Sequence, residues 1–446
     1  MMRRVLGSSD REILRLALPA MGALAADPLL SLVDTALVGR LGVAELAALG
    51  IDVAVFTTVF FGFNFLTYGT TAAVARLRGA GDDEAAASYA LQALWLALGL
   101  GVVMTAVLLA GKVGIVRAMG ASGDVVAPAL AYLQVRALAA VPLLVSQVGH
   151  GIFRGLKDTR TPLLVSVAAN VVNGVVSWVL IYPMGWGVAG AAAGTLLAET
   201  LAAVTLLGLA RRRLPTPSAR IDLVAMREMV RVSWNLFLRT AALLCGLLIT
   251  TAVAARMGAV TVAAHQIARE LWSMLALVLD GFAIAAQAMI GTALGAGRSQ
   301  VARADARRLV WWGLGAGLVI AVGYLALAGP LPRVFTADEG ALAQVGAVWL
   351  IVALLQPIGG IVFVLDGVLM GAGDFRFLFW STAAASLGVL LPVALLALRF
   401  DWGLRGVWAG MGALMLVRLG ATVWRLRDGR WARVGPSSAQ ALPAAG

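Results

Sequence analysis

Two carboxyl groups inside one apolar stretch are the residues of this sequence with the clearest capacity for chemistry. Asp27 and Asp34 lie seven residues apart, so a helix carries both on nearly the same face, about 10.5 Å apart along its axis. If the stretch lies in a membrane, each charge costs at least about 2.5–3.5 kcal/mol, which makes both residues functional candidates. Desolvation favours the neutral carboxyl group, so such a residue can load and release a proton. The structural alternatives are a cap or an inter-helix bond for Asp34 and a capped kink at Asp27-Pro28.

Further ionisable residues lie inside apolar stretches of the second half of the chain. Asp280 and Asp366 are each followed by glycine, and Arg239 and Arg269 are candidate partners for them. A structural ion pair and a functional site are equally open for both aspartates. The same two alternatives apply to the isolated Arg136.

The first apolar stretch also contains two prolines, Pro19 and Pro28. Each interrupts the helical hydrogen-bond ladder, so this helix can bend. In the fourth stretch, His150 could tune Asp34 or sense pH. The alternative for His150 is a packing residue near the end of a membrane helix.

The composition shows what must position these groups. Of 446 residues, 61% are hydrophobic and 13% are charged, against about 25% charged in an ordinary soluble domain. Apolar stretches of about 20 residues recur along the chain, and a helix of that length crosses a hydrocarbon core about 30 Å thick. The sequence therefore predicts an all-α integral membrane protein. Its twelve spans are expected near residues 13–38, 47–73, 88–111, 126–150, 161–183, 187–210, 229–254, 263–293, 308–329, 343–369, 377–398 and 403–424.

The basic residues fit a membrane topology. The net charge of +12 would favour a nucleic-acid partner only if these residues formed one patch, but they occupy short loops, so we expect none. They are most frequent in the tails and the even-numbered loops, which predicts that both termini lie in the cytoplasm. The membrane is expected to be the bacterial cytoplasmic (inner) membrane. The single cysteine, Cys245, excludes a disulfide framework and a thiolate metal site.

An internal repeat with a constant offset of 216 organises the chain. Arg40-Leu41-Gly42 returns as Arg256-Met257-Gly258, and Gly187, Gly190 and Gly194 return as Gly403, Gly406 and Gly410. Since each half has an even number of spans, we predict two six-helix bundles related by an axis along the membrane normal, around a central cavity. We assign an N-lobe to 1–210, a cytoplasmic linker to 211–222, a C-lobe to 223–426 and a cytoplasmic tail to 427–446.

Several segments resemble one transporter family. Val33-Asp34-Thr35 followed by Val38-Gly39-Arg40-Leu41-Gly42 is similar to the first-helix signature of multidrug and toxic compound extrusion (MATE) transporters. The stretch from Phe153 to Pro162 resembles that family's loop between helices four and five. Ala264-His265-Gln266-Ile267, Asp280-Gly281-Phe282-Ala283 and Asp366-Gly367-Val368-Leu369 resemble its DNA-damage-inducible F (DinF) branch.

The resemblance implies a coupling site in the N-lobe. Where the family has an asparagine and an aspartate four residues apart on helix five, this chain has Asn173 and Ser177, and Thr195 matches the family's hydroxyl ligand. The lost carboxylate favours a proton over sodium, because a hard cation would have little charge compensation. The predicted coupling site comprises Asp34, Asn170, Asn173, Ser177 and Thr195. The predicted substrate cavity is lined by Asp27, Asp34, Gln147 and His150. The resemblance also implies that Pro19 and Pro28 link protonation to bending and that His265 bonds between helices of the C-lobe, which we expect to couple ions less.

We therefore expect a monomeric secondary transporter in the lipid bilayer that exports lipophilic organic cations by proton antiport with alternating access. It would need no cofactor besides the coupling ion. Sodium-coupled drug antiport and a flippase of an amphipathic or lipid-linked substrate are the transport alternatives. An intramembrane enzyme would require a clustered catalytic set, and the sequence has no such pattern. A channel or receptor would be distinguished by conductance without a stoichiometric counter-ion flux.

Overall fold

The computed structural model of this protein describes residues 7–216 and 220–434, except for the side chains of Asp27 and Leu275. Twelve helices in these residues are long and apolar enough to cross a membrane, which confirms the predicted all-α class and number of spans. In chain order they are α1 (Ser8–Val38), α2 (Val43–Gly79), α3 (Asp83–Ala118), α4 (Gly123–Gly155), α5 (Arg160–Ile181), α6 (Gly187–Ala210), α7 (Leu223–Arg256), α8 (Ala259–Gly295), α9 (Ser299–Ala326), α10 (Glu339–Gly371), α11 (Phe375–Arg399) and α12 (Gly403–Asp428).

The helix bounds repeat at the offset found in the sequence. Helix α2 starts at Val43 and α8 starts 216 residues later at Ala259. Helix α6 starts at Gly187 and α12 starts 216 residues later at Gly403. The first helices of the two halves are long, and α1 is one continuous helix through Pro19 and Pro28. The predicted coupling of bending to protonation at these prolines stays a prediction.

The N-terminal unit comprises residues 18–233. Within it α4 packs against α2, α3 and α6, while α5 packs against α6. Short 3-10 turns interrupt α2 at Gly62–Asn64 and α4 at Ala137–Ala139. A long apolar core built mainly from α2, α3 and α4 runs through this unit.

The C-terminal unit comprises residues 234–434 together with residues 7–17. Here α8 and α10 pack along their lengths, with α9 and α12 against α10. A Cβ added at Gly360 would lie 2.1 Å from the carbonyl oxygen of Gly313, so α9 and α10 meet backbone to backbone, as small residues permit in membranes. A π-helical turn at Ser386–Leu390 interrupts α11.

The boundaries of the compact units lie at other residues than the predicted linker. The first turns of α1 belong to the C-terminal unit, and the first turns of α7 belong to the N-terminal unit. In the C-terminal unit, Arg308 donates to the carboxylate of Asp10 at 2.6 Å and the indole of Trp312 donates to it at 3.0 Å. In the N-terminal unit, Gln92 accepts from the backbone amide of Asp222 and donates to the carbonyl of Arg220. Gln92 and Arg308 are themselves 216 residues apart, so the repeat extends to these contacts. The predicted lobe boundaries stay a prediction.

Candidate functional site: a polar cluster in the N-terminal unit

Five helices of the N-terminal unit bring buried and half-buried polar side chains into one region, which we call the N-lobe polar cluster. Its members are Asp34 on α1, Asp52 on α2, Tyr132 and Arg136 on α4, Asn173 and Ser177 on α5, and Thr195 and Glu199 on α6. Tyr132 lies within electrostatic range of Asp34, Asp52, Arg136 and Glu199. The cluster therefore joins residues that lie up to 165 positions apart in the sequence.

The amide and hydroxyl groups of the cluster form a chain between α5 and α6. The Asn173 amide donates to the Thr195 hydroxyl at 2.9 Å, and that hydroxyl lies 3.1 Å from the carbonyl of Ala191. The Ser177 hydroxyl is 3.5 Å from the Asn173 side-chain oxygen. All three side chains are buried. The sequence prediction that Asn173, Ser177 and Thr195 meet is therefore seen in the structure.

Asp34 lies next to this hydrogen-bonded series of side chains. Its residue surface is 7% exposed, and the Thr195 hydroxyl is a neighbour of its side chain. Among the described residues its Oδ1 atom has no hydrogen-bond partner. A carboxyl group with one free oxygen and one hydroxyl neighbour can hold a proton without breaking any other contact.

A neutralised ion pair provides the charges nearest to Asp34. Arg136 donates two parallel hydrogen bonds to the Glu199 carboxylate, at 2.9 and 2.8 Å. The guanidinium carbon of Arg136 also lies 4.5 Å from the ring centre of Phe56. Arg136 is thus paired with Glu199 through two of its N–H donors, and it influences Asp34 through its charge. The isolated Arg136 of the sequence analysis is thus an ion-pair partner.

Asp52 is the most enclosed acid of the cluster. Its residue surface is 0% exposed, and neither carboxyl oxygen has a hydrogen-bond partner among the described residues. Apolar side chains cover the region, with Leu49, Val38 and Ile181 in one packed group that also contains Tyr132. Water is therefore excluded from the acids by packing on this side of the cluster.

The C-terminal unit has apolar side chains at the positions that correspond to the cluster. At the offset of 216, Asp52 corresponds to Ala268, Tyr132 to Val348, Arg136 to Val352 and Glu199 to Met415. All four of these C-terminal residues are fully buried and belong to one apolar core. Asp34 corresponds to Thr250, which bonds to its own helix. The fold therefore does not require polar groups at these places.

Other predicted site residues lie away from the cluster or outside the described residues. Asn170 donates to the carbonyl of Ala26 at 2.7 Å and so ties α5 to α1. Gln147 and His150 follow Arg136 on α4 by 11 and 14 residues, or roughly 16 and 21 Å along a helix. Their place in a substrate cavity stays a prediction, as does that of Asp27, whose side chain lies outside the described residues.

In the C-terminal unit, Asp366 accepts hydrogen bonds from both Arg239 and Arg418. All three side chains are buried, so the partner predicted for Asp366 is confirmed and a second one is added. Asp280 lies within electrostatic range of Arg418. This arrangement favours the structural interpretation of Asp366, because its carboxylate accepts hydrogen bonds from two buried guanidinium groups.

His265 is buried and lies between helices of the C-terminal unit. Its Nε2 is 3.5 Å from the hydroxyl of Thr251 on α7, and its ring centre is 6.0 Å from that of Trp408 on α12. These contacts agree with the packing role implied by the family resemblance.

Sequence reasoning did not single out Asp52, Glu199, Tyr132 or Arg418. For three of them a signal was present, because Asp52, Glu199 and Arg418 are ionisable residues inside predicted spans. Asp52 is also the one polar residue on a face that otherwise reads Ala48, Leu49, Val55 and Phe56. Tyr132 carries no comparable signal, because an aromatic residue in a membrane helix is ordinary.

Comparisons with known proteins agree with this architecture. The sequence profile of the MatE family matches residues 19–179 and 236–396, one match in each half. Protein DETOXIFICATION 44, chloroplastic, of Arabidopsis thaliana is 36% identical over 96% of this chain and 84% of that protein. DNA damage-inducible protein F of Escherichia coli is 29% identical over 96% of this chain and 95% of that protein. A solved structure described as "Crystal structure of MATE in the bent conformation" superposes with a TM-score of 0.87 at 24% identity, covering 95% of this chain and 97% of that one.

Proposed function

This chain belongs to the multidrug and toxic compound extrusion (MATE) family, and on that premise we propose that it exports lipophilic organic cations in exchange for protons. Relatives named "Probable multidrug resistance protein NorM", such as the 31% identical protein of Deinococcus radiodurans, support the export of drugs. Proton coupling and the cationic substrate are inferred from the residues of the N-lobe polar cluster. We further propose a monomer in the bacterial cytoplasmic membrane, with both termini in the cytoplasm.

The observation that carries this proposal is the buried Asp34 carboxyl group with one unpartnered oxygen. A buried carboxylate without full compensation favours its neutral form, so it binds a proton from the proton-rich outer side of the membrane when the site opens to that side. In its ionised form the same group supplies the negative charge that a lipophilic cation needs. Occupancy by a proton and by the cation is then mutually exclusive, which gives antiport when access alternates.

The composition of the cluster favours a proton over sodium. Hard cations are bound by several oxygen ligands, and their charge is offset by carboxylates. Here Ser177 stands where a second acid would be expected, and the Asn173 amide nitrogen is directed to Thr195. Glu199 is already committed to Arg136 through two hydrogen bonds. Among the described acids, Asp34 is therefore the carboxyl group that neighbours the Asn173–Thr195 hydrogen bond without being part of an ion pair.

The experiment is coupled transport in liposomes with an imposed proton gradient. Uptake of a fluorescent organic cation and lumenal pH are followed together, with and without sodium, for wild type, Asp34→Asn and the control Asp124→Asn, whose side chain is exposed. We expect wild type and Asp124→Asn to couple the two fluxes without sodium and Asp34→Asn to lose the coupling. Since Asp34 Oδ1 has no partner, asparagine should leave the thermal midpoint of unfolding close to that of wild type.

Either of two results would overturn the proposal. Coupled transport by a folded Asp34→Asn protein would remove Asp34 from the mechanism. Transport that requires sodium, or that proceeds without any counter-flux, would favour the sodium antiporter or the flippase instead.

A further inference from the structure

Asp52 lies at the centre of a buried helix face with no partner for its charge. It follows the start of α2 at Val43 by nine residues, which places it roughly 14 Å along the helix. Ala48, Leu49, Val55 and Phe56 share its face and are all buried. Both Asp52 carboxyl oxygens are enclosed without a hydrogen bond among the described residues.

A carboxylate cannot remain ionised in such a place at reasonable cost. Moving an unpaired charge into an apolar interior costs several kcal/mol even after relaxation, whereas a neutral carboxyl group loses only its hydrogen bonds to water. The enclosed side chain therefore carries a proton in this conformation. It can release that proton only when water or a base reaches it.

The charged and titratable groups on the packed neighbours do not offset this. From α4, Tyr132 and Arg136 face the same region, and Arg136 is bound to Glu199. From α3, the ammonium group of Lys112 donates to the side-chain oxygen of Gln134 at 2.7 Å. Asp34 also lies within electrostatic range of Tyr132, whereas Asp124 is exposed at the start of α4.

The repeat shows that an acid at this place is not demanded by packing. The corresponding residue of the C-terminal unit, Ala268, is fully buried in an apolar core. An alanine would thus satisfy the same helix contact at no electrostatic cost. Since alanine is sufficient for packing at this place, the carboxyl group of Asp52 points to a functional role.

We propose that Asp52 is a second proton-binding residue of the transport cycle, which exchanges its proton together with Asp34 when the helices around α2 rearrange. The inference rests on the proposed proton antiport and adds a second proton to it. Tyr132 lies within electrostatic range of both acids. With two acids discharged per cycle, two protons enter for each cation exported.

The first test uses a carbodiimide soluble in the bilayer, dicyclohexylcarbodiimide, which adds to a protonated carboxyl group to give a stable N-acylurea. Reconstituted wild-type protein is treated at neutral and alkaline pH and digested, and the adducts are located by mass spectrometry. We expect an adduct on Asp52 at neutral pH that decreases at alkaline pH, and none on the exposed Asp124. An unlabelled Asp52, or labelling that is independent of pH, would overturn the proposal.

The second test counts protons per exported cation in the liposome assay. We expect Asp52→Asn to halve the proton-to-cation ratio of wild type while Asp34→Asn abolishes coupling. Asp52→Ala, which copies Ala268, serves as a second variant should the asparagine fail to fold. An unchanged ratio in a folded Asp52 variant would refute the second proton. If wild type itself shows no proton flux, the proposed antiport fails, and the labelling result still decides whether Asp52 binds a proton.

Discussion

Removing the acid from the buried Arg136–Glu199 pair should be costly, whereas removing both members should not. In Glu199→Gln the shape of the side chain is kept, but the charge that compensates Arg136 is lost. The side chains of the pair are 13% and 19% exposed, so water compensates only part of the guanidinium charge. Phe56, 4.5 Å from that guanidinium, offers a weak cation–π contact in its place.

The expected magnitude follows from the burial. Breaking a buried ion pair by removing one partner costs about 3–5 kcal/mol, because the other charge is left uncompensated. For a unit of this size, 1 kcal/mol lowers the thermal midpoint by about 2–4 °C. Glu199→Gln should therefore unfold roughly 6–20 °C below wild type.

The double variant Arg136→Val with Glu199→Met copies the residues of the C-terminal unit, Val352 and Met415. Since buried ion pairs replaced by apolar residues are often neutral or stabilising, we expect it to unfold close to wild type. Thermal midpoints are measured by intrinsic tryptophan fluorescence for all variants in one detergent. A midpoint for Glu199→Gln equal to that of wild type, or a double variant less stable than the single one, would refute the reasoning.

Three further variants test separate contacts. Asp366→Asn removes the charge that two buried guanidinium groups share, so its midpoint should fall by an amount similar to that of Glu199→Gln, and an unchanged midpoint would argue against a structural role. Gly194→Ala would place a Cβ 2.1 Å from the Ser177 hydroxyl, so coupled transport should be lost, and adding Ser177→Ala should restore part of it. Asp10→Asn weakens the contact with Arg308 and should lower the thermal midpoint only slightly, because the arginine is solvent-exposed, and a midpoint equal to that of wild type would count against that contact.

The number and order of the helices could be predicted from the sequence because the bilayer fixes the length of an apolar span. Their ends could not, since helices continue beyond the hydrocarbon core wherever polar residues still favour helix. Span seven was predicted at 229–254, and the helix runs from Leu223 to Arg256. The repeat was visible because glycines at helix starts and close contacts recur in both halves.

The candidate site was only partly predictable. Asp34 was found as an ionisable residue inside an apolar stretch, and Asn173 and Thr195 were found through the family resemblance. The three residues lie together in the structure. The pairing of Arg136 with Glu199 joins residues 63 positions apart, and no local sequence pattern predicts it. A contact of this kind depends on how α4 and α6 pack, which is decided by the shapes of many side chains at once.

The exchange of helix ends between the two compact units has a consequence for biogenesis. The first turns of α1 leave the ribosome early, but Arg308, which holds Asp10, is synthesised almost 300 residues later. At 5–20 residues per second this delay is about 15–60 s. Likewise, the first half of the chain lacks residues 220–233 of its own compact unit until α7 begins to emerge. A nascent chain interrupted between its halves would therefore hold an N-terminal unit without residues 220–233, and of the C-terminal unit it would hold only the start of α1.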